Sequence, residues 1–255
     1  MTSASARVSA ERPFYSRHAE AYDLLITDPV APWVDAVHER LARAHRSPAA
    51  VLDAGCGTGR HAEALIAKGH RVDLTDASAE LLALAAERCP GSRAFLSDLC
   101  ALALASEYDA VTCRGVLNDM VTDADREAAI TSLTASLRPG GLLFLDVREE
   151  EASRLRADGA SRSAVARLGG RRELRFSSRS RWREGLLHVE ERYELLVDGR
   201  TEEESSYDFT MRPWSRNELT AMLRRHGMRT VDIADGVGRR TADRLFVVAT
   251  NPDAG

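Results

Sequence analysis

The densest chemistry in this 255-residue chain lies in nine residues, Val51 to Gly59. Val51 and Leu52 form a short apolar run. Asp53, Ala54 and three alternating glycines (Gly55, Gly57, Gly59) follow, and a helical pattern begins at about Arg60. This order reads as a buried strand, a turn with no side chains in the way, and a helix N-terminus pointing at whatever sits above it. Glycine permits positive φ and a close approach of ligand to backbone. The free amides at a helix start favour electron-rich ligand groups. Dinucleotide binders use Gly-x-Gly-x-x-Gly at such a turn. Here Arg60 follows the third glycine directly, which departs from that spacing.

Further polar residues fall where strands should end. Arg71 to Thr75 reads as a strand closed by Asp76, with Ser78 as the cap of the next helix. A carboxylate at that point can accept from both vicinal hydroxyls of a ribose; the alternative is a plain helix cap. Arg93 to Leu96 makes a third strand, ended by Ser97-Asp98-Leu99, where Asp98 could equally be a turn aspartate. Asp109 to Cys113 makes a fourth and runs on into Arg114, Gly115, Val116, Leu117, Asn118, Asp119 and Met120. In open α/β sheets the ligand lies beyond the carboxyl ends of the strands. Asn118 and Asp119 are therefore the candidate catalytic pair, placed to orient an acceptor, with a helix cap as the competing reading.

The run from Val51 to Gly59 resembles the first motif of the class I S-adenosylmethionine-dependent methyltransferases, especially bacterial amino-sugar and glycine-type N-methyltransferases. The resemblance spans roughly Tyr15 to the C-terminus, with Asp76, Asp98-Leu99 and Arg138-Pro139-Gly140-Gly141 following in family order. It implies S-adenosylmethionine as cofactor, S-adenosylhomocysteine as product and no metal. It also implies cofactor contacts at Tyr15, Tyr22, Trp33, Asp53, Ala54, Gly55, Gly57, Asp76, Ala77, Asp98, Leu99, Cys113 and Arg114. In many such enzymes an N-terminal helix with a Tyr-Asp pair, here Tyr22-Asp23, lids the cofactor, and a sulfonium suits an aromatic face; packing against the main domain is the plainer role. Some sugar enzymes carry a histidine after the fourth strand. Asn118, Asp119 and Met120 stand there instead, so no histidine base carries over.

These residues need a doubly layered α/β frame to hold them. The resemblance implies a Rossmann-like seven-stranded sheet with the last strand antiparallel and helices on both faces, and the alternating pattern adds an inserted antiparallel β lid. Residues 1–12 read as disordered, 13–45 as a helical cap broken by Pro29 and Pro32, and 13–147 with 215–255 as the main domain. Residues 148–214 form the insertion. It opens with an arginine-rich stretch and continues as three alternating strands, with Asp198-Gly199 as a hairpin turn. Within it, or just beyond, His188, Tyr207, Arg212 and Trp214 are candidate substrate contacts, although a plain strand histidine is the competing reading of His188. The insertion can serve as substrate lid, as the contact of a homodimer, or as both. Ser215 and Glu218 then make a capping box that restarts the main domain.

Composition narrows the function. Hydrophobic residues make up 44%, charged residues 29%, and the net charge is −4, so no global field favours nucleic acid. No Asn/Asp-Pro-Pro-Tyr/Phe run is present to hold a planar amino group of a base. No apolar run reaches the roughly 20 residues that span a bilayer, and the polar first dozen residues lack a signal-peptide core; the expected location is the cytoplasm. Four cysteines without Cys-x-x-Cys spacing read as reduced core residues. The expected activity is methyl transfer to nitrogen of a small specialised metabolite, driven mainly by proximity. The alternative is an O-methyltransferase with a side-chain base; an RNA methyltransferase or an NAD-dependent oxidoreductase is more remote.

Overall fold

The computed structural model describes residues 11–253. The disorder expected for residues 1–12 therefore falls mostly outside the described residues, and Arg12 itself is placed. A 3-10 turn (Ala19–Ala21), α1 (Tyr22–Leu25) and α2 (Ala31–Arg43) come first. The alternating part follows: β1 (Ala50–Ala54), α3 (Arg60–Ala67), β2 (Arg71–Asp76), α4 (Ala79–Arg88), β3 (Ala94–Leu96), β4 (Tyr108–Arg114), α5 (Asp123–Ala135) and β5 (Leu137–Arg148). After α6 (Glu150–Arg156) come β6 (Asp158–Leu168), β7 (Arg172–Arg183), β8 (Leu186–Val197) and β9 (Arg200–Met211); α7 (Arg216–Arg225), β10 (Thr230–Asp235) and β11 (Arg244–Thr250) close the chain.

Seven strands form the main sheet in the order β10-β11-β5-β4-β1-β2-β3. β11 runs antiparallel between β5 and β10, as the resemblance implies. Strands buried on both faces need apolar residues throughout, and β1 is buried along its whole length. One core packs α5 and α7 against the sheet through Ile130, Leu133, Leu219 and Leu223. The other packs α2, α3 and α4 through Trp33, Val37, Leu41, Leu65 and Leu82. Local signals act as read: Ser78 accepts from Leu81 N–H at 3.0 Å, and Ser215 from Glu218 N–H at 3.1 Å. The Arg138 to Gly141 run belongs to β5 itself, which passes a bulge against β4 there.

The insertion has four strands, not three. β6, β7, β8 and β9 make a meander of their own. β6 escaped the sequence reading because it buries only Ala166 and Leu168, too few to register as alternation among arginines. Asp198 (φ +49°) and Gly199 (φ +77°) make the hairpin turn between β8 and β9, with the two positive φ values a tight two-residue loop requires. The meander's inner face, with Leu174, Phe176 and Tyr193, packs on Phe14, Tyr15, Tyr22 and Leu25. The outer face carries Arg175, Arg181, Glu190 and Glu194 in exposed cross-strand ion pairs.

Candidate active site

The main cavity opens where the strand order reverses, between β1 and β4, the switch point at which such sheets bind ligands. Its floor is the glycine turn. Gly55 (φ +72°) and Gly57 (φ +56°) hold left-handed backbone, and a side chain on Gly55 would run into Val116. Asp76, at the end of β2, accepts from Gly57 N–H at 2.8 Å and from Ser78 N–H at 2.9 Å. It is thus both a helix-start acceptor and a brace for the turn. Burial raises its pKa, and the backbone amides pull it back. Asp98 accepts from Cys100 N–H at 2.9 Å, capping a short 3-10 turn, and Asp98, Leu99, Ala77 and Leu81 wall this end.

The roof comes from the N-terminal segment. Asp23 accepts from Thr58 Oγ1 at 2.5 Å and from Arg88 at 2.6 Å. Arg60 donates to the carbonyls of Ile26 (2.5 Å) and Asp28 (3.2 Å). These bonds bolt the segment onto the glycine turn. From above, the lid holds it through Phe14 against Phe176, with ring centroids 5.6 Å apart. Arg12 forks onto both carboxylate oxygens of Glu191 and sits 4.5 Å over the Tyr15 ring and 4.3 Å over Phe209. Burial opposes its charge, but Tyr15 and Glu191 more than offset this and raise its pKa. Burial likewise raises the Tyr15 phenol.

The cavity is also lined by Asp119, Met120, Met211, Arg148 and Arg244. Desolvation pushes the Asp119 carboxyl up to about 6, against the pull of Arg12, Arg148 and Arg244. Asp146, wholly buried at the end of β5, anchors Arg239 (2.9 Å) and Arg244 (3.1 Å). Burial and neighbouring guanidiniums lower Arg244 to about 9 and Arg114 to about 10. The loop bearing Asp119 is held from behind by fully buried Arg126. Its guanidinium lies 3.7 Å from the centre of the Trp214 ring. It donates to the carbonyls of Met120 (3.1 Å), Arg212 and Pro213 (3.0 Å).

Of the residues singled out from sequence, Tyr15, Tyr22, Gly55, Gly57, Asp76, Ala77, Asp98, Leu99, Arg114 and Asp119 meet around this one cavity. Asp53 lies behind the turn, bonded to Thr112 Oγ1 at 2.8 Å and raised by burial to about 6. It lines only a smaller adjoining cleft. The rest are corrected. Trp33 is a core residue packed edge-on against Phe246, and Ala54 and Cys113 are buried in the sheet interior. Asn118 is a buried clip, accepting from Arg148 N–H at 2.7 Å and donating to the Gly115 carbonyl at 3.3 Å. Trp214 donates to the Leu117 carbonyl at 3.2 Å, inside the core. Arg212 turns away to Asp123 (2.5 Å) and Glu218 (2.8 Å). His188 shares a strand with Leu187 and Val189 but alternates to the outer face, since neighbouring side chains point to opposite sides. Tyr207 lies on the inner face and packs on the N-terminal segment outside the cavity wall.

Sequence reasoning missed Arg12, Arg148, Arg239 and Arg244. Arg148 had a usable signal, since it ends the fifth strand, where ligands lie. Arg12 had none, because its neighbours on the lid are far away in sequence. Among the described residues no group of three or more His, Cys, Asp or Glu could hold a metal. None of the described helices is long and apolar enough to cross a membrane.

A family described as a methyltransferase domain matches residues 51–141. The structure of S-adenosylmethionine-bound CalS10, an amino pentose methyltransferase from Micromonospora echinaspora involved in calicheamicin biosynthesis, superposes with a TM-score of 0.67. It is 30% identical, over 85% of this chain and 89% of that one. This chain belongs to the class I S-adenosylmethionine-dependent methyltransferases. The methyltransferase fold is shared with DesVI from Streptomyces venezuelae, at a TM-score of 0.77, 22% identity and coverage of 92% of this chain and 98% of that one. In sequence, the methyltransferase is 27% identical to a dTDP-3-amino-3,6-dideoxy-alpha-D-glucopyranose N,N-dimethyltransferase from Streptomyces fradiae, over 57% of this chain and 59% of the relative. It spans between half and two thirds of the curated relatives it matches.

Proposed function

We propose that this methyltransferase methylates an amine nitrogen on a small specialised metabolite. The observation that carries this reading is the Asp119 carboxyl, raised by burial to about 6 on the wall of the same cavity that Asp76 and Asp98 line. The donor's parts find matching groups. Asp76 would take the ribose hydroxyls, Asp98 and the Leu99 amide the adenine edge, and the amides of the glycine turn the amino-acid tail. Arg114 supports the fit: it lines the cavity, and its buried Nε has no hydrogen-bond partner among the described residues. A carboxylate on the donor tail would satisfy that donor group. When bound, S-adenosylmethionine supplies an electrophilic methyl group for in-line displacement.

The chain's own task is to prepare the nucleophile. An ammonium has no lone pair to attack with. The Asp119 carboxylate holds the acceptor's ammonium and takes its proton, leaving a neutral amine. An ammonium in water is a far weaker acid than a carboxyl group with pKa 6, so desolvation of the pair and charge neutralisation must help this transfer. Tyr15, Tyr22 and Phe14 keep water out, and their faces suit a cationic donor. The relatives described as amino-pentose and amino-sugar methyltransferases support nitrogen as the acceptor atom. The test is incubation with methyl-labelled donor and a panel of small amines and alcohols. Label on nitrogen, lost in Asp119→Asn, supports the reading; transfer to oxygen alone overturns it.

A further inference from the structure

We propose that Asn118 is a positioning residue for the Asp119 base, joining the loop that bears it to the end of β5 and to the exit of the lid. This rests on the role given to Asp119 above and adds what aims its carboxylate. Asn118 is 1% exposed and does not itself line the cavity. Its side-chain amide bonds in both senses: Oδ1 accepts from Arg148 N–H at 2.7 Å, and Nδ2 donates to the Gly115 carbonyl at 3.3 Å. These partners fix which way round the amide sits, since an N–H needs an acceptor and a carbonyl a donor. The backbone carbonyl of Asn118 accepts from Arg212 N–H at 2.8 Å.

That carbonyl belongs to the planar peptide unit shared with Asp119, whose N–H donates to the Val116 carbonyl at 2.9 Å. The plane from which the Asp119 side chain springs is therefore held at both ends. One hold is the loop's own turn, and the other is the first residue after β9. Among the described residues no hydrogen bond or ion pair reaches the Asp119 carboxyl itself, so its direction comes from the backbone beneath it. Three cavity-lining side chains branch from this joint: Asp119 beside Asn118, Arg148 across the amide, and Met211 one residue before Arg212. The joint also lies where sheet bonding stops. The β4–β5 ladder ends at the pair Arg114 and Asp146, and beyond it the amide carries the link between the two segments. An aliphatic side chain of like size would fill the space without burying an amide. An aspartate carboxylate has no donor for Gly115, and glutamine is one methylene longer. A positioned base needs such support to stay within about 0.5 Å of its working place.

The experiment is a double-mutant cycle on the full chain: wild type, Asp119→Asn, Asn118→Leu and the two together, melted at pH 4 and pH 8. The charges that reach Asp119 come from Arg12, Arg148, Arg244, Glu191 and Tyr15, and all four proteins keep them. With Asn118 in place, Asp119→Asn should raise the melting temperature by about 3–6 °C more at pH 8 than at pH 4. In the Asn118→Leu background the loosened loop lets the carboxyl turn to water, and this pH-dependent gain should fall at least by half. An undiminished gain, the additive result expected of a merely structural residue, overturns the proposal. So does a loss of S-adenosylhomocysteine affinity beyond about twofold in Asn118→Leu, read by calorimetry, because the damage then extends past the base. Asn118→Ser, whose short hydroxyl cannot span both partners, replaces the leucine variant if that one does not fold, with the same expected loss. If Asp119→Asn gives no pH-dependent gain even with Asn118 present, the base reading falls and takes this one with it. A gain indifferent to Asn118 removes this inference alone.

Discussion

The two ends of the cavity are built by different means. At the proposed donor end the groups belong largely to the backbone: left-handed glycines, amide groups, and two aspartates at strand ends within about 25 residues of one another in sequence. At the acceptor end they are side chains from separate stretches: Arg12 before the first helix, Asp119 after β4, Arg148 at the end of β5, Met211 at the lid's exit and Arg244 at the start of β11. A backbone-built site depends on local conformation and tolerates only glycine in places. A side-chain-built site can be rewritten one residue at a time while the frame stays put. The donor is common to the whole family, and the acceptor wall is where a chain sets its own chemistry.

The sharpest way to break this contrast is Asp119→Asn. Turnover should fall about 10²- to 10³-fold, in the range for losing a positioned base, with S-adenosylhomocysteine affinity unchanged by calorimetry. The wild-type rate should rise with pH through about 6, and the variant should lose that limb. The sign for stability is opposite. Because the folded carboxyl titrates near 6 and an unfolded one near 3.8, the native state binds the proton more tightly, and stability declines as pH rises from about 4 through 6. Asp119→Asn should therefore melt higher than wild type at pH 8, by up to about 1–3 kcal/mol, and gain little at pH 4. An equal melting shift at both values would refute that assignment.

Next in size, Asp76→Ala should weaken S-adenosylhomocysteine about 10²-fold, since it removes charge-assisted bonds to two hydroxyls and the brace on Gly57. Retained affinity would remove the donor assignment. Arg12→Gln, which touches the lid and Tyr15 but not the glycine turn, should raise the acceptor KM about tenfold while weakening the donor clearly less. If donor binding fell equally, the two ends would not be separable. Trp33→Phe is the smallest: under about twofold on donor affinity, with a stability cost of about 1–2 kcal/mol from lost packing on Phe246.

The same contrast governs what could be read before folding. The glycine turn, Asp76 and Asp98 are legible because spacing along one chain segment fixes their geometry. The strands themselves are legible as apolar runs, and the antiparallel last strand comes from the resemblance to the family. Trp33 misled because an aromatic at helical spacing looks the same whether it faces a cofactor or a core. His188 misled because an alternating strand reveals two faces without saying which is inner. Asn118 and Asp119 adjoin in sequence yet diverge in the fold, one clipped to Arg148 and the other facing the cavity. Arg12, Arg148 and Arg244 are brought together only by the closed tertiary structure.

Arg126 has a bearing on chimaeras. A graft that exchanges the meander between relatives with junctions at residues 157 and 211 would import a new ceiling. It would leave the carbonyls of Arg212 and Pro213, which that guanidinium grips, to meet a foreign strand at the seam. The same guanidinium steadies Met120, next to Asp119, so a poorly matched seam would loosen the loop that carries the proposed base. Transferable cassettes should therefore run on through Trp214 and bring their own partner for position 126.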